Sequence, residues 1–83
     1  MPQRRPRKVR KKIFDAAVAG AFLLERRESL ELTQRALADR AGVSQRTIVN
    51  IERGLGSVTL KSLEAVALAL DLDILTVIAQ ALR

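Results

Sequence analysis

Thr33-Gln-Arg-Ala-Leu-Ala-Asp-Arg-Ala-Gly-Val-Ser-Gln-Arg-Thr-Ile-Val-Asn-Ile-Glu-Arg53 is the stretch on which the fold turns. Thr33 offers a hydroxyl that can accept an orphan backbone N–H in the first turn of a helix. Ala36, Leu37 and Ala41 then recur at helical spacing as an inward face. Gly42 sits where this helix must stop, because glycine takes the left-handed conformation at no steric cost. Ser44 offers the next cap, and Ile48 and Ile51 give the following helix one apolar edge. The stretch therefore predicts two short helices, 34–41 and 45–52, joined by a tight turn through Gly42. That is the layout of a helix-turn-helix.

Outward from this unit the chain stays helical in pattern. Gly54 ends the second helix, and 54–57 reads as a loop. Thr59 or Ser57 caps a further helix through about Leu70, with Leu60, Leu63, Val66, Ala67 and Leu70 as its buried stripe. From Lys11 to about Glu28, Phe14, Ala17, Val18, Ala21, Phe22 and Leu24 form an apolar stripe at three- and four-residue spacing. Gly20 interrupts that stripe and marks a kink or a break. Glu28 to Leu32 is a short connection. Residues 72–82 fit two patterns. Asp73 can cap a helix carrying Ile74, Leu75, Ile78, Ala81 and Leu82, while Leu72, Ile74, Thr76 and Ile78 also alternate as in a strand. Helix is the favoured assignment.

Composition removes several function classes. The chain has 83 residues, one domain at most, with little room for a buried catalytic cavity. It has no Cys and no His, which excludes disulfides, thiolate chemistry, nearly every zinc site and the commonest general base. Phe14 and Phe22 are its only aromatics, too few for a single-strand stacking platform. Neither a secretory signal nor a membrane span is legible, and a cytoplasmic location is expected. Asp71 and Asp73 are close acids, but with no His, Cys, glycine-rich phosphate loop or metal cluster beside them no enzyme is expected.

The net charge of +6 is unevenly placed. Arg4, Arg5, Arg7, Lys8, Arg10, Lys11 and Lys12 stand together with no acid among residues 1–12, whereas residues 13–83 hold eight cations and nine acids. Residues 1–10, with Pro2 and Pro6, are expected to be a disordered basic arm ahead of a folded unit at 11–83. A basic tail suits nucleic acid or an anionic surface, and it also occurs simply as a solubilising terminus.

The words Leu-Thr-Gln at 32–34, Leu-Ala at 37–38, Ala-Gly-Val-Ser at 41–44, Thr-Ile at 47–48 and Ile-Glu-Arg-Gly at 51–54 resemble the phage repressor and Cro family of DNA-binding domains. Leu63, Ala67 and Leu70 continue the likeness, which covers roughly 20–78. The resemblance implies an all-α bundle of about five helices that binds double-stranded DNA and needs no cofactor or metal. It implies that the second helix of the motif enters the major groove N-terminus first. Carried over by position, Gln45, Arg46, Val49 and Asn50 reach base edges. Gln and Asn suit adenine, Arg suits guanine, and Val49 suits a thymine methyl. Thr33, Gln34, Thr47, Arg53 and Lys61 are placed at the DNA backbone. Gln34 is further implied to brace Gln45, and Arg27 to form an internal ion pair with Glu52.

The resemblance leaves residues 13–19 and 72–82 to be covered by something. A homodimer joined through 72–82 is expected, acting as a repressor on an inverted repeat. The alternative is an antitoxin that binds its own operator and a toxin partner. A strand at 72–78 favours the antitoxin, and a helix disfavours it.

Overall fold

The computed structural model describes residues 13–55 and 58–82. Five helices follow in order: α1 (Ala16–Ser29), α2 (Gln34–Ala41), α3 (Gln45–Glu52), α4 (Leu60–Ala69) and α5 (Ile74–Ala81). No strand forms among these residues; only an isolated antiparallel bridge joins Phe14 to Leu82. Within the segment 72–82, residues 74–81 are helical, capped by Asp73, whose carboxylate accepts from the Leu75 N–H at 2.9 Å.

Each helix starts on a residue whose side chain can do this work. Asp15, Thr33, Ser44, Thr59 and Asp73 all accept from a backbone N–H of the first turn. Of the two candidate caps for α4, Thr59 is the one used; Ser57 lies outside the described residues, as do Lys11, Lys12 and the rest of the basic arm.

Four helices also end alike. After α1, α2, α3 and α4 one residue turns left-handed, at Glu31, Gly42, Gly54 and Asp71. The next N–H then reaches back to the carbonyl five residues earlier: Leu32 to Arg27, Val43 to Ala38, Leu55 to Asn50 and Leu72 to Ala67. This is the Schellman stop, in which two otherwise orphaned carbonyls are satisfied locally. Glycine suits the left-handed position at two of the four corners. Glu31 and Asp71 hold it at φ 58° and 56° with a Cβ in the way. Glu31→Gly and Asp71→Gly are each expected to stabilise the fold by about 0.5–1 kcal/mol, since relief of the left-handed strain exceeds the added chain entropy. Urea denaturation of each variant checks this, and a fall in midpoint refutes it.

The core is aliphatic. Leu23, Leu37, Ile48, Val66, Leu70 and Val77 are almost wholly enclosed. α1 differs from expectation in three respects. It begins at Ala16 and not near Lys11, with Ile13–Asp15 preceding it. It runs unbroken through Gly20. Its buried residues are Ala19, Gly20 and Leu23, while Ala17 and Ala21 face out. The reason is visible in the sequence: residues 16–24 are apolar or glycine throughout, so periodicity defines no unique face. Packing chooses the phase instead. A Cβ at Gly20 would stand 2.2 Å from the Ile51 carbonyl oxygen and 2.9 Å from that of Glu52. Glycine is there so that the backbones of α1 and α3 can touch.

The two segments left uncovered by the family pattern largely cover each other. α5 packs along α1, with Val77 and Ala81 fully buried inside the same chain. The Asp15 N–H donates to the Ala81 carbonyl at 2.8 Å.

Candidate nucleic-acid interface

α2 and α3 form the helix-turn-helix at the boundaries expected. Thr33 Oγ1 accepts from the Ala36 N–H at 3.0 Å, Gly42 takes φ 70°, and Ser44 Oγ accepts from the Thr47 N–H at 3.1 Å. Leu37, Ala38, Ile48 and Ile51 are buried between the helices and the rest of the core. With Ile48 and Ile51 turned inward, helical geometry turns residues 46, 49, 50 and 53 to the other face, and leaves Gln45 in the first turn at its edge. Gln45, Arg46 and Arg53 are exposed there; Val49 and Asn50 are half-buried at its edges. Thr47 is half-buried, and its hydroxyl shares a 2.9 Å hydrogen bond with Ser44 Oγ. Lys61 is exposed in the first turn of α4.

Arg27 and Glu52 meet. The guanidinium lies side-on to the carboxylate, with Nε 2.6 Å from Oε2 and Nη2 3.2 Å from Oε1. Their side chains are only 12% and 6% exposed. Arg27 Nη1 also donates to the Leu32 carbonyl at 2.6 Å. The Glu52 hydrogen bond raises the Arg27 pKa above its ordinary value, against the opposing effect of burial. The pair therefore ties the end of α1 to the end of α3.

Gln34 departs from the brace implied by the resemblance. Its Nε2 donates to Glu52 Oε1 at 3.0 Å, so it does not hold Gln45 in this structure. An ionised, enclosed carboxylate is the stronger acceptor, since charge-assisted hydrogen bonds exceed neutral amide pairs. Glu52 thus gathers α1, the head of α2 and α3 on one carboxylate. Sequence spacing carried no signal for this third partner, nor for the hydrogen bond from Arg26 Nε to the Leu70 carbonyl at 3.0 Å.

Charge is polarised across the described residues. Within 33–53, Arg35, Arg40, Arg46 and Arg53 are exposed against one exposed acid, Asp39. Elsewhere Glu25, Glu28, Glu31, Glu64, Asp71 and Asp73 are exposed, and Lys61 is the only exposed cation among the described residues there. Exposed cations thus concentrate in the α2–α3 segment and exposed acids in the other described segments, a distribution that favours a polyanion at α2–α3. No described helix is long and apolar enough to cross a membrane.

The helix-turn-helix family model HTH_3 matches residues 23–77. Among solved structures, the chain is similar to the restriction-modification controller protein C.AhdI from Aeromonas hydrophila. The two are 30% identical over 76% of this chain and 96% of that one, with a TM-score of 0.70. It is also similar to the clp gene regulator ClgR from Corynebacterium glutamicum. One structure of that regulator is 27% identical over 88% of this chain and 94% of that one, with a TM-score of 0.72. A second is 28% identical over 86% and 76%, also at 0.72. No curated protein matches the chain.

Proposed function

The chain belongs to the helix-turn-helix family whose model matches residues 23–77, and on that premise we propose that this DNA-binding transcriptional regulator is a repressor acting as a homodimer on an inverted repeat. The observation that carries the base-reading role is the outer face of α3. Gln45, Arg46, Val49 and Asn50 lie along it, within the segment that carries most of the exposed cations among the described residues. α3 enters the major groove, with Arg46 suited to guanine O6 and N7 and the two amides to adenine. Thr33, Gln34, Thr47, Arg53 and Lys61 contact the backbone around it. Thr33 and Gln34 stand at the head of α2, where the free backbone N–H groups of the first turn add donors for a phosphate.

Two copies are favoured by what α5 leaves uncovered. Its inner face, Val77 and Ala81, is buried, but Leu75, Ile78 and Leu82 form a second stripe at intervals of three and four. Leu75 is 68% exposed. Beside this stripe lies an apolar groove of about 560 Å³ lined by Phe14, Leu55, Leu60, Leu63, Ile78 and Leu82. A ridge and a groove on one patch satisfy the requirement of a two-fold contact, where the same surface must fit itself. A single helix-turn-helix reads few base pairs, and a dimer reads two half-sites about 34 Å apart. The antitoxin alternative loses the observation that would have favoured it, because 74–81 is helical.

Selection of bound duplexes from a random pool tests this function. A palindromic consensus is expected, and an absence of enrichment overturns it. On the selected site, Gln45→Ala and Asn50→Ala should each weaken binding by about 1–3 kcal/mol while changing little on unrelated DNA. An equal loss on every sequence would assign them to positioning and not to base readout.

A further inference from the structure

α1 packs against α5 on one side and against α3 on the other. The Asp15 N–H donates to the Ala81 carbonyl at 2.8 Å, and Val77 and Ala81, on the inner face of α5, are fully enclosed. The Asp15 carboxylate accepts from the Ala17 and Val18 N–H groups at 3.0 and 3.2 Å, so the residue that holds α5 is also the cap of α1. The end of α3 sits directly after it. A Cβ at Gly54 would come within 2.6 Å of the Ala17 Cα and 2.9 Å of the Ala17 nitrogen. One turn on, a Cβ at Gly20 would collide with the Ile51 carbonyl oxygen and stand 2.9 Å from that of Glu52. Further along α1, Arg27 Nε lies 2.6 Å from Glu52 Oε2. α3 is thus seated on α1 at Ala17, Gly20 and Arg27, points spread over about 15 Å of helix. At the first two, main chain lies against main chain. A contact between side chains can yield by a change of rotamer, but one between main chains cannot, and displacement is passed on.

We propose, on the reading that two copies join through α5, that Asp15, Gly20 and Gly54 are positioning residues for the spacing of the half-sites. They join α5, α1 and α3 into one stiff block, so the dimer holds its two recognition helices at a single separation before DNA arrives. A swing of about 10° over the length of α1, about 21 Å, would move its far end by about 3.6 Å, close to one base-pair step. A joint with that much play would let one dimer accept neighbouring spacings. A block without it accepts one, because avidity is lost when geometry forbids both sites at once. Spacing then becomes an element of specificity beside the bases and the phosphates. It is set by residues that lie outside the reading face.

The chain has no cysteine, so Asp39→Cys, at an exposed position of α2 away from the reading face and the α5 patch, gives each full-length copy one spin label. Dipolar distance measurement across the dimer should return one narrow separation without DNA, unchanged to within about 2 Å on the selected palindrome. A broad distribution that narrows only on DNA overturns the proposal. One base pair added to or removed from the centre of that palindrome should weaken binding about 100-fold. Equal affinity for the neighbouring spacings overturns the proposal as well. Val77→Ala loosens the seat of α5, and Gly54→Ala prises the end of α3 from α1. Either should broaden the distance and cut the spacing penalty to about ten-fold or less, with base preference inside each half-site kept. If a variant that folds by circular dichroism keeps the narrow distance and the full penalty, the block does not set the spacing. Failure of the two-copy reading looks different: no dipolar coupling between free copies, and a selected consensus of one half-site alone.

Discussion

Gly20→Ala is expected to destabilise the protein by about 3 kcal/mol or more, the upper end of what overpacking costs. The added methyl would meet the Ile51 and Glu52 carbonyl oxygens at 2.2 and 2.9 Å. Both are backbone atoms, so no flexible side chain can step aside. Relief requires α1 to move away from α3, which would also pull at Leu23 and at the Arg27–Glu52 pair. The opposing gain is small, since alanine is favoured over glycine in a helix by about 1 kcal/mol. For a chain of this size the whole folding free energy is about 5–10 kcal/mol, so the loss is a large share of it. Urea denaturation without DNA measures it directly. A variant as stable as the parent would show that α1 and α3 can separate cheaply, and that Gly20 has no packing role.

Glu52→Ala should cost about 3–5 kcal/mol, the usual penalty for removing one partner of a buried pair. The change leaves the Arg27 guanidinium, 12% exposed, with only the Leu32 carbonyl, and it strips Gln34 of its acceptor. Arg27→Ala should be comparably harmful, because it leaves the Glu52 carboxylate enclosed with a single amide donor. The double variant Arg27→Met with Glu52→Leu separates the cost of an orphaned charge from the value of the pair. It should lie closer to the parent than either alanine variant, because an apolar replacement of both partners removes the desolvation penalty together with the attraction. A double variant as unstable as either alanine variant would show that the pair contributes attraction beyond its own desolvation. All three should shift the head of α2, so DNA binding by the folded fraction should weaken as well.

The parts of this fold that sequence alone revealed are those specified by neighbouring residues. Thr33, Gly42 and Ser44 set α2 and α3 because caps and left-handed stops act within a turn of their own position. Asp73 resolved the ambiguous 72–82 segment in the same way, with Val77 and Ala81 adding burial that a strand would not give. What sequence concealed depends on distant contacts. The face of α1 follows from Gly20 meeting α3, and an apolar run has no preferred phase to announce it. The stops at Glu31 and Asp71 carry acids in place of the glycine that would mark them. At the interface, the division of α3 into buried Ile48 and Ile51 and an outer polar face was legible from periodicity. The partner of Gln34 was not, because it depends on which of two acceptors, an amide or a carboxylate, the folded chain brings within reach.

The bridge between Phe14 and Leu82 has a consequence for the order of the chain itself. Where the first and last segments of a domain touch, the path of the backbone is nearly a closed ring. Rings of this kind tolerate being cut elsewhere and rejoined across the old ends, provided that the cut falls in an exposed connection. The turn at Glu31, between α1 and the recognition unit, is such a connection. A circular permutant opened there would begin with the helix-turn-helix and finish with α1. The five helices would keep their neighbours, which means that their packing depends on which faces meet and not on the order in which they are made.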